Sequence, residues 1–410
     1  SFFSRLCVDW YQEHKVKILL FQVLDNKQEC YKIYCDNQLV EDYQARALTH
    51  TWAPSSHFLE EDIEYAQIWS HGKNLNEVCP PELKQKWDFL NEKAKVFIRS
   101  FYNAKVNLDD VCFYDMVPKK FLLDFYEVKN KISRHVFESF NKPKNYFFLR
   151  DLVLFLKKLE SRELNLDFTN INCYEEKTRN SISKIKNNNS KIVYNPWRTV
   201  TGRLTTESTS FPILTLKKEL RSVLKPQNDV FVEFDFNAAE LRVLLGLLGQ
   251  TQPQEDIHAW INENVFANKL TREATKKKTF SWLYNPKAKN KKLNGCFDRE
   301  KLHKEYYTNG SVRTPFNREI PVEAEKAVSY LVQSTTSDML LTSAMAVEKE
   351  LKHKKSFVCF CIHDSIVVDL SYDDKDLIES LGEVFAKTKF GKLKTNLSIG
   401  KDFGNMKRPL

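Results

Sequence analysis

The sequence of 410 residues contains no apolar run that approaches the roughly 18 residues of a membrane-spanning helix. Its first five residues, SFFSR, lack the layout of a secretory signal. Its nine cysteines show no paired spacing, and Cys359 and Cys361 lie in an apolar stretch, which argues against zinc ligation. These absences exclude a membrane protein and a disulfide scaffold, so we expect buried, reduced thiols in a cytoplasmic protein without membrane contacts.

The net charge of +9 is unevenly distributed along the chain. Residues 265–304 contain twelve Lys or Arg and three Asp or Glu, and residues 177–203 contain seven Lys or Arg and no acid. These basic stretches flank Glu233, Asp235 and Glu240. Because phosphate contacts dominate nucleic-acid affinity, this layout favours a polyanion as the ligand. Lysine-rich loops that only keep the protein soluble would explain the excess charge but not its position.

Residues 230–248, VFVEFDFNAAELRVLLGLL, change from the period of a strand to the period of a helix. Asp235 stands where the predicted buried strand ends. A carboxylate there costs desolvation free energy unless a cation binds it, and a metal ion is one such cation. The alternative is that Asp235 caps the following helix.

Residues 357–370, FVCFCIHDSIVVDL, predict a second carboxylate on a rigid sheet. Two β-rich apolar runs flank His363, Asp364 and Ser365, as in a tight hairpin. Asp and Ser are also ordinary turn residues, so the hairpin alone is not diagnostic. Together, Asp235 and Asp364 could hold two divalent ions roughly 3.5–4 Å apart, the arrangement used for in-line attack at phosphorus.

Four side chains between these two segments recur at intervals of four residues: Arg272, Lys276, Phe280 and Tyr284. On a helix they share one stripe. The two cations can bind a triphosphate, and the two rings can pack a base or a sugar. A solvated basic helix with a few buried rings is the alternative.

The three segments, in this order, resemble motifs A, B and C of the family A DNA polymerases, the group of bacterial DNA polymerase I and many phage replicases. Supporting matches are residues 201–206 (TGRLTT), 256–258 (DIH), 310–318 (GSVRTPFNR) and 333–338 (QSTTSD). The resemblance covers about residues 194–405. It implies an α+β right-hand polymerase fold with an antiparallel palm sheet, a helical thumb and helical fingers, here with an additional N-terminal α/β region.

The resemblance also implies template-directed extension of a DNA primer with dNTPs, with two Mg²⁺ ions bound by Asp235 and Asp364, and hard oxygen ligands suit Mg²⁺. Lys276 would also donate a proton to pyrophosphate, and the family glutamate that matches Glu240 blocks the ribose 2′-OH. The residues that would bind the dNTP are Arg272, Lys276, Phe280, Tyr284, Glu240 and His258. The residues that would bind primer-template DNA are Arg203, Arg242, Arg318, Gln333 and His363.

The chain departs from the family pattern at several positions. Ser281 and Asn285 stand where the family usually has glycines, and Ser365 follows the motif C aspartate where bacterial members commonly have Glu. Residues 208–212, STSFP, are also atypical. The stretch from Tyr284 to Gly310 is short, so we expect small fingers.

The predicted domains follow the motifs. Residues 1–117 form an N-terminal region of unknown role, with a β-hairpin or meander in residues 6–34 and a helical section over residues 60–101. Residues 62–64, DIE, match the exonuclease tripeptide of many family members, but companion motifs are missing, so we do not expect proofreading. The remaining ranges are 118–192 for the thumb, with a flexible link or tip at 178–191, 193–265 for the palm with motif A, 266–310 for shortened fingers and 311–410 for the palm with motif C.

A compact polymerase rich in Lys and Asn suggests a phage protein that acts in DNA replication in the host cytoplasm, with a replicative helicase or a processivity factor as a further partner. One alternative is a catalytically impaired, polymerase-like DNA-binding factor, and another is a single-subunit RNA polymerase. Glu240 and the TGRL segment argue against RNA synthesis. Retention of both aspartates, Arg272 and Lys276 argues against a loss of chemistry.

Overall fold

The computed structural model describes residues 19–24, 32–41, 48–55, 58–108, 111–169, 185, 190–285 and 287–408. The chain divides into two compact units, Ser1–Arg150 and Asp151–Leu410. The predicted thumb is therefore shared between the units, and its role stays a prediction. Most of the predicted link at 178–191 lies outside the described residues.

In its described part, the first unit has five short strands, and three of them form an antiparallel sheet. These strands are β1 (Phe21–Val23), β2 (Ile33–Cys35), β3 (Gln38–Val40), β4 (His50–Thr51) and β5 (Glu64–Tyr65). β1 pairs with β2 and β2 with β3, whereas β4 and β5 pair in parallel. The predicted hairpin or meander is confirmed for its described part, and residues 6–18 and 25–31 lie outside the described residues.

The helices of the first unit are α1 (Ala66–Trp69), α2 (Leu75–Val78), α3 (Pro81–Asn103), α4 (Phe113–Met116) and α5 (Lys119–Ser139), while α6 (Tyr146–Glu160) crosses the unit boundary. The predicted helical section at 60–101 is confirmed as one long helix from Pro81 onward, whereas residues 60–80 contain only the short helices α1 and α2. There, Asn74 and Glu77 form a capping box that starts α2, and extended Pro80 precedes α3.

The exonuclease-like tripeptide lies in a turn and a strand rather than in the predicted helical context. Glu64 begins β5, and its carboxylate accepts a hydrogen bond from the indole N–H of Trp69 at 2.9 Å. It also forms an ion pair with Lys142 at 2.5 Å. The Glu64 carboxylate therefore binds Trp69 and Lys142 within the first unit.

The second unit combines strands and helices, in agreement with the predicted mixture. Its strands are β6 (Asn165–Leu166), β7 (Tyr194–Asn195), β8 (Thr205–Thr206), β9 (Leu224–Lys225), β10 (Val230–Phe236), β11 (Tyr307–Thr308), β12 (Ser311–Arg313), β13 (Glu319–Pro321), β14 (Phe357–Ile362), β15 (Ser365–Leu370), β16 (Lys387–Thr388), β17 (Gly391–Lys392) and β18 (Thr395–Gly400). Its helices are α7 (Ala239–Leu247), α8 (Ile257–Phe266), α9 (Arg272–Tyr284), α10 (Lys291–Cys296), α11 (Arg299–Tyr306), α12 (Ala327–Glu350) and α13 (Ile378–Ala386).

An antiparallel sheet in the order β14, β15, β10, β18 forms the centre of this unit. All six residues of β15 are buried, as are five of the seven residues of β10, because helices cover the sheet. α12 packs against α7, α13 and β14. This core fixes the ends of β10 and β15, which carry the predicted site. The division into palm, thumb and fingers stays a prediction.

Side chains cover the outer edge of β14. The Tyr194 hydroxyl donates to the carbonyl of Cys361 at 2.5 Å and accepts from its N–H at 3.0 Å. The Glu348 carboxylate accepts from the N–H of Val358 at 3.0 Å, and Arg162 donates to the Val358 carbonyl at 2.6 Å. These contacts satisfy backbone groups that an exposed edge strand would offer to another chain.

None of the described helices combines the length and the apolar content needed to cross a membrane.

Candidate active site

Asp235 and Asp364 meet at one end of the central sheet. β10 and β15 pair so that Asp235 lies opposite Ser365, and Asp364 occupies the turn just before β15. The N–H of Phe236 donates to the Asp364 carbonyl at 3.2 Å. The predicted hairpin and the predicted change from strand to helix are confirmed, and both carboxylates line one cleft.

Asp235 does not cap α7. The N-cap residue is Ala238, which has no side-chain capping bond and a left-handed φ of +50°. Such a backbone costs a non-glycine residue roughly 1–2 kcal/mol, so the surrounding packing holds a strained turn beside the two acids. The Asp235 carboxylate instead accepts a hydrogen bond from the amide of Asn396 on β18, at 3.0 Å.

Burial raises the pKa of both acids. The pKa of Asp235 rises to about 6 because of burial and the nearby charges of Asp364 and Glu233, although the hydrogen bond from Asn396 lowers it. Burial also raises the pKa of Asp364. Neighbouring desolvated carboxylates favour a bound cation.

The donor set at this position fits Mg²⁺. Magnesium is usually held by one or two carboxylates together with water and substrate phosphates, and Asp235 and Asp364 supply the carboxylates. Within the described ranges, no group of three or more acidic, His or Cys side chains forms a metal-binding cluster. The pair therefore suits an ion that also takes ligands from a substrate.

The predicted stripe lies on α9, which is a helix as expected. Thr271 caps it by accepting from the N–H of Ala274 at 3.2 Å. The back of the helix buries four side chains, which fix its orientation: Thr275, Thr279, Trp282 and Leu283. On the other face, the stripe residues Arg272, Lys276 and Phe280 line the same cleft as Asp235 and Asp364.

Arg272 is bound to an acid in this cleft. It donates to Asp256 from Nη2 at 2.8 Å and from Nε at 3.2 Å. Burial raises the pKa of Asp256, but the hydrogen bonds from Arg272, the Ala259 N–H and Asn237 outweigh it and hold that pKa well below its usual range. Asp256 also caps α8. Arg272 is therefore neutralised locally.

His258 is buried at the start of α8, with its ring centroid 6.0 Å from that of Phe280. Burial lowers its pKa, so the ring is neutral at pH 7. Its Nδ1 atom has no hydrogen-bond partner among the described residues. The predicted phosphate contact stays a prediction, and a neutral ring would make it as a hydrogen-bond donor.

Glu240 receives two hydrogen bonds from predicted site residues. The Tyr284 hydroxyl donates to one of its oxygens, and Arg203 donates to the other. The Tyr284 ring stacks on Phe280, with centroids 6.1 Å apart and an interplanar angle of 6°. Glu240, Arg203, Phe280 and Asp364 line a second cleft of about 390 Å³. The first cleft, with Asp235 and Lys276, has a volume of about 670 Å³.

No protein-family model and no curated protein sequence matches this chain. One similar solved structure is the POL domain of Pol1 from M. smegmatis in complex with DNA primer-template and dNTP. The two chains are 12% identical, the match covers 82% of this chain and 67% of that chain, and the TM-score is 0.47.

The loop that carries Arg203 depends on Gly202 and Arg318. Gly202 has φ +73°, and a Cβ there would come within 2.5 Å of the Arg318 guanidinium. Its carbonyl accepts from the Ser337 hydroxyl at 2.9 Å. Arg318 itself binds fully buried Asp338 with two hydrogen bonds, at 2.7 and 3.0 Å, and retains 12% side-chain exposure. Arg318 therefore supports the loop that carries Arg203, and its predicted contact with DNA stays a prediction.

The predicted DNA contact of Arg242 is wrong. Arg242 is fully buried, and its guanidinium donates to the carbonyl oxygens of Asn237, Pro253 and Glu255 at 2.7–2.9 Å. It therefore joins the turn after β10 to the loop before α8. Because the Arg242 guanidinium is buried and hydrogen-bonded within the protein, it cannot contact DNA.

Two further predicted DNA contacts are His363 and Gln333. His363 is exposed in the turn beside Asp364, with φ +52°, and lines the second cleft. Gln333 is half-buried on α12. Both assignments stay predictions.

Sequence reasoning missed three residues of the first cleft: Lys394, Asn396 and Arg408. They lie near the C-terminal end of the described chain and form no recognisable motif. The pairing of β18 with β10, which puts Asn396 opposite Asp235, reveals the position of Lys394 and Asn396. The backbone hydrogen bonds between Ile399 and Lys407 reveal that of Arg408.

Proposed function

We propose that this protein is a template-directed DNA polymerase that extends a DNA primer with dNTPs in phage DNA replication. One observation carries the proposal: Asp235 and Asp364 share a cleft of about 670 Å³ with Arg272, Lys276 and Phe280. Two carboxylates for metal ions, two cations for phosphates and a ring for a sugar are the groups that nucleotidyl transfer needs. The similarity of the sequence motifs to family A polymerases supports the same assignment.

Asp235 and Asp364 would hold two Mg²⁺ ions. When bound, the ions would lower the pKa of the primer 3′-OH and stabilise charge on the departing pyrophosphate. Asn396 orients the Asp235 carboxylate through its hydrogen bond. The ordered sheet beneath both acids keeps their positions fixed before substrate binds.

The other cleft residues would bind and select the nucleotide. Lys276 contacts the phosphates and donates a proton to the leaving pyrophosphate, and Arg272 exchanges Asp256 for a phosphate oxygen. Phe280 packs against the sugar, and Tyr284 stacks near the templating position. Glu240, held by Tyr284 and Arg203, excludes the ribose 2′-OH. Arg203, His363 and Gln333 face the primer terminus, and His258 gives a further phosphate contact.

Primer extension on a short primed template tests this function. The reactions contain Mg²⁺ and either dNTPs or NTPs, and Asp364→Ala is the control variant. Extension with dNTPs alone that disappears in Asp364→Ala supports the proposal. A wild-type protein that binds the template but extends nothing would instead be a polymerase-like DNA-binding factor, and extension with NTPs alone would indicate an RNA polymerase.

A further inference from the structure

The cleft with Asp235 and Asp364 contains more positive charge than α9 supplies. Among the residues that the structure describes, four cationic side chains line it: Arg272, Lys276, Lys394 and Arg408. Arg272 is neutralised by Asp256. In the described part of the chain, the other three make no ion pair with an acid, and Lys394 donates to the carbonyl of Gln254 at 3.0 Å. Three cations that form no ion pair with a described residue therefore surround two buried carboxylates, and Arg408 and Lys276 lie close enough to lower the pKa of Asp235 and Asp364, respectively.

Lys394 is held at the edge of the cleft by the backbone. It stands just before β18, and its carbonyl accepts from the N–H of Asn237 at 3.0 Å, directly after β10. The two residues after Lys394 continue into the strand that carries Asn396. The backbone of Lys394 is therefore tied to the same sheet as Asp235, and its ammonium is held by the Gln254 carbonyl.

Arg408 reaches the cleft because the chain turns back after β18. Asp402 accepts from the N–H groups of Gly404 and Asn405 at 2.9 and 2.8 Å, which closes the turn. Ile399 and Lys407 then exchange two backbone hydrogen bonds, at 2.7 and 2.9 Å. The residue after Lys407 is directed back along β18, toward the end of the sheet that carries the carboxylates.

We propose that Lys394 and Arg408 bind the β- and γ-phosphates of the dNTP, and hold them as they leave as pyrophosphate. The inference rests on the proposed polymerase function and adds a second set of phosphate contacts to those of α9. A guanidinium presents paired donors to phosphate oxygens, and an ammonium supplies a compact point charge. Both are suited to a polyanion in a cleft that already contains carboxylates.

These contacts act on the leaving group. The primer 3′-oxygen forms a bond to the α-phosphorus and loses its proton to solvent, while the bond from the α-phosphorus to the bridging oxygen breaks. Pyrophosphate takes that bonding pair and a proton from Lys276. Lys394 and Arg408 would stabilise the charge that develops there, since fixed cations at a site of developing charge lower a barrier. The same contacts would bind pyrophosphate in the reverse reaction.

The test uses Arg408→Gln and Lys394→Met, with Lys392→Met as the matched control. Lys392 is an exposed lysine two positions before Lys394 that pairs with Glu383 at 2.7 Å and does not line the cleft. The full chain is titrated with inorganic pyrophosphate and Mg²⁺ by calorimetry. The KM for pyrophosphate in the reverse reaction is measured in parallel.

We expect each cleft variant to bind pyrophosphate roughly tenfold more weakly, and to raise the KM for pyrophosphate by a similar factor. Lys392→Met should stay within about twofold of wild type. If both cleft variants bind pyrophosphate as tightly as the wild type does, Lys394 and Arg408 do not bind the phosphates. The proposed function stands in that case as long as the wild type extends primers. A wild-type protein without any extension overturns the proposed function and with it this assignment.

Discussion

Arg272 donates two hydrogen bonds to Asp256 in the cleft that also contains Asp235 and Asp364. The pair lies at the start of α9 and α8, since Arg272 is the first residue of α9 and Asp256 caps α8. Under the proposed function, a triphosphate that binds Arg272 would displace this internal carboxylate. The free energy of that exchange would set part of the dNTP affinity.

Asp256→Asn should lower the KM for dNTPs by roughly threefold to tenfold, because Arg272 then loses its charged competitor. Asparagine still caps α8, so the helix should remain intact. Steady-state primer extension over a range of dNTP concentrations measures the effect. Glu263→Gln is the control, because Glu263 is an exposed acid on α8 that does not line the cleft. A KM that rises in Asp256→Asn would contradict the competition.

Glu240→Ala should increase use of NTPs relative to dNTPs by roughly tenfold or more, because it removes the side chain proposed to exclude the 2′-OH. Tyr284→Phe should give a smaller increase, since it removes only the hydroxyl that binds Glu240. The ratio of kcat/KM values for a matching dNTP and NTP measures this discrimination. An unchanged ratio in Glu240→Ala would refute the assigned role.

Tyr194→Phe should destabilise the second unit by about 1–3 kcal/mol, because it leaves the N–H and carbonyl of Cys361 without their partner. The thermal unfolding midpoint reports the loss. Tyr372→Phe serves as the control, since its hydroxyl contacts Lys401 at the protein surface. Equal midpoints for the two variants would show that the contact with β14 is not stabilising.

The Glu348 carboxylate should make a pH-dependent contribution to the free energy of unfolding. Burial raises its pKa, but hydrogen bonds from Arg162, Lys158 and the N–H of Val358 outweigh burial and lower the pKa below its ordinary value. A lowered pKa gives stability that is fully present above the ordinary glutamate range and is lost as the pH falls through the folded-state pKa. Glu348→Gln should therefore cost about 1–3 kcal/mol at pH 7 and progressively less below about pH 4. Denaturant unfolding across this range measures the difference, and a pH-independent cost would contradict the shift.

Local periodicity was sufficient to predict the elements that carry the site. Three short-range patterns predicted these elements correctly. They are the alternation in β10, the apolar runs around Asp364 and the four-residue spacing on α9. That both acids lie at one end of one sheet depends on the pairing of β10 with β15, which local patterns do not give. The predicted helix before Pro81 failed because its apolar spacing ignored the capping residue Asn74 and the proline pair at 80–81, which separate α2 from α3.

Local periodicity could not predict contacts between residues that are distant in the sequence. Nothing in the local pattern relates Arg272 to Asp256, or Asn396 to Asp235, because their proximity depends on how the elements pack. Arg242 was the avoidable error. Its neighbours on α7 are apolar and buried around the helix, a pattern that indicates a core helix and a buried guanidinium rather than a contact with DNA.

The most direct test of the account is the rate of single-nucleotide addition to a saturating, preformed complex of protein and primer-template in wild type and Asp364→Asn. Binding of the same DNA is measured alongside it. We predict addition by the wild type, a rate at least about a hundredfold lower in Asp364→Asn, and equal DNA affinity. Equal rates in the two proteins, or no addition by the wild type, would contradict the claim that the carboxylates at the end of the central sheet catalyse nucleotidyl transfer.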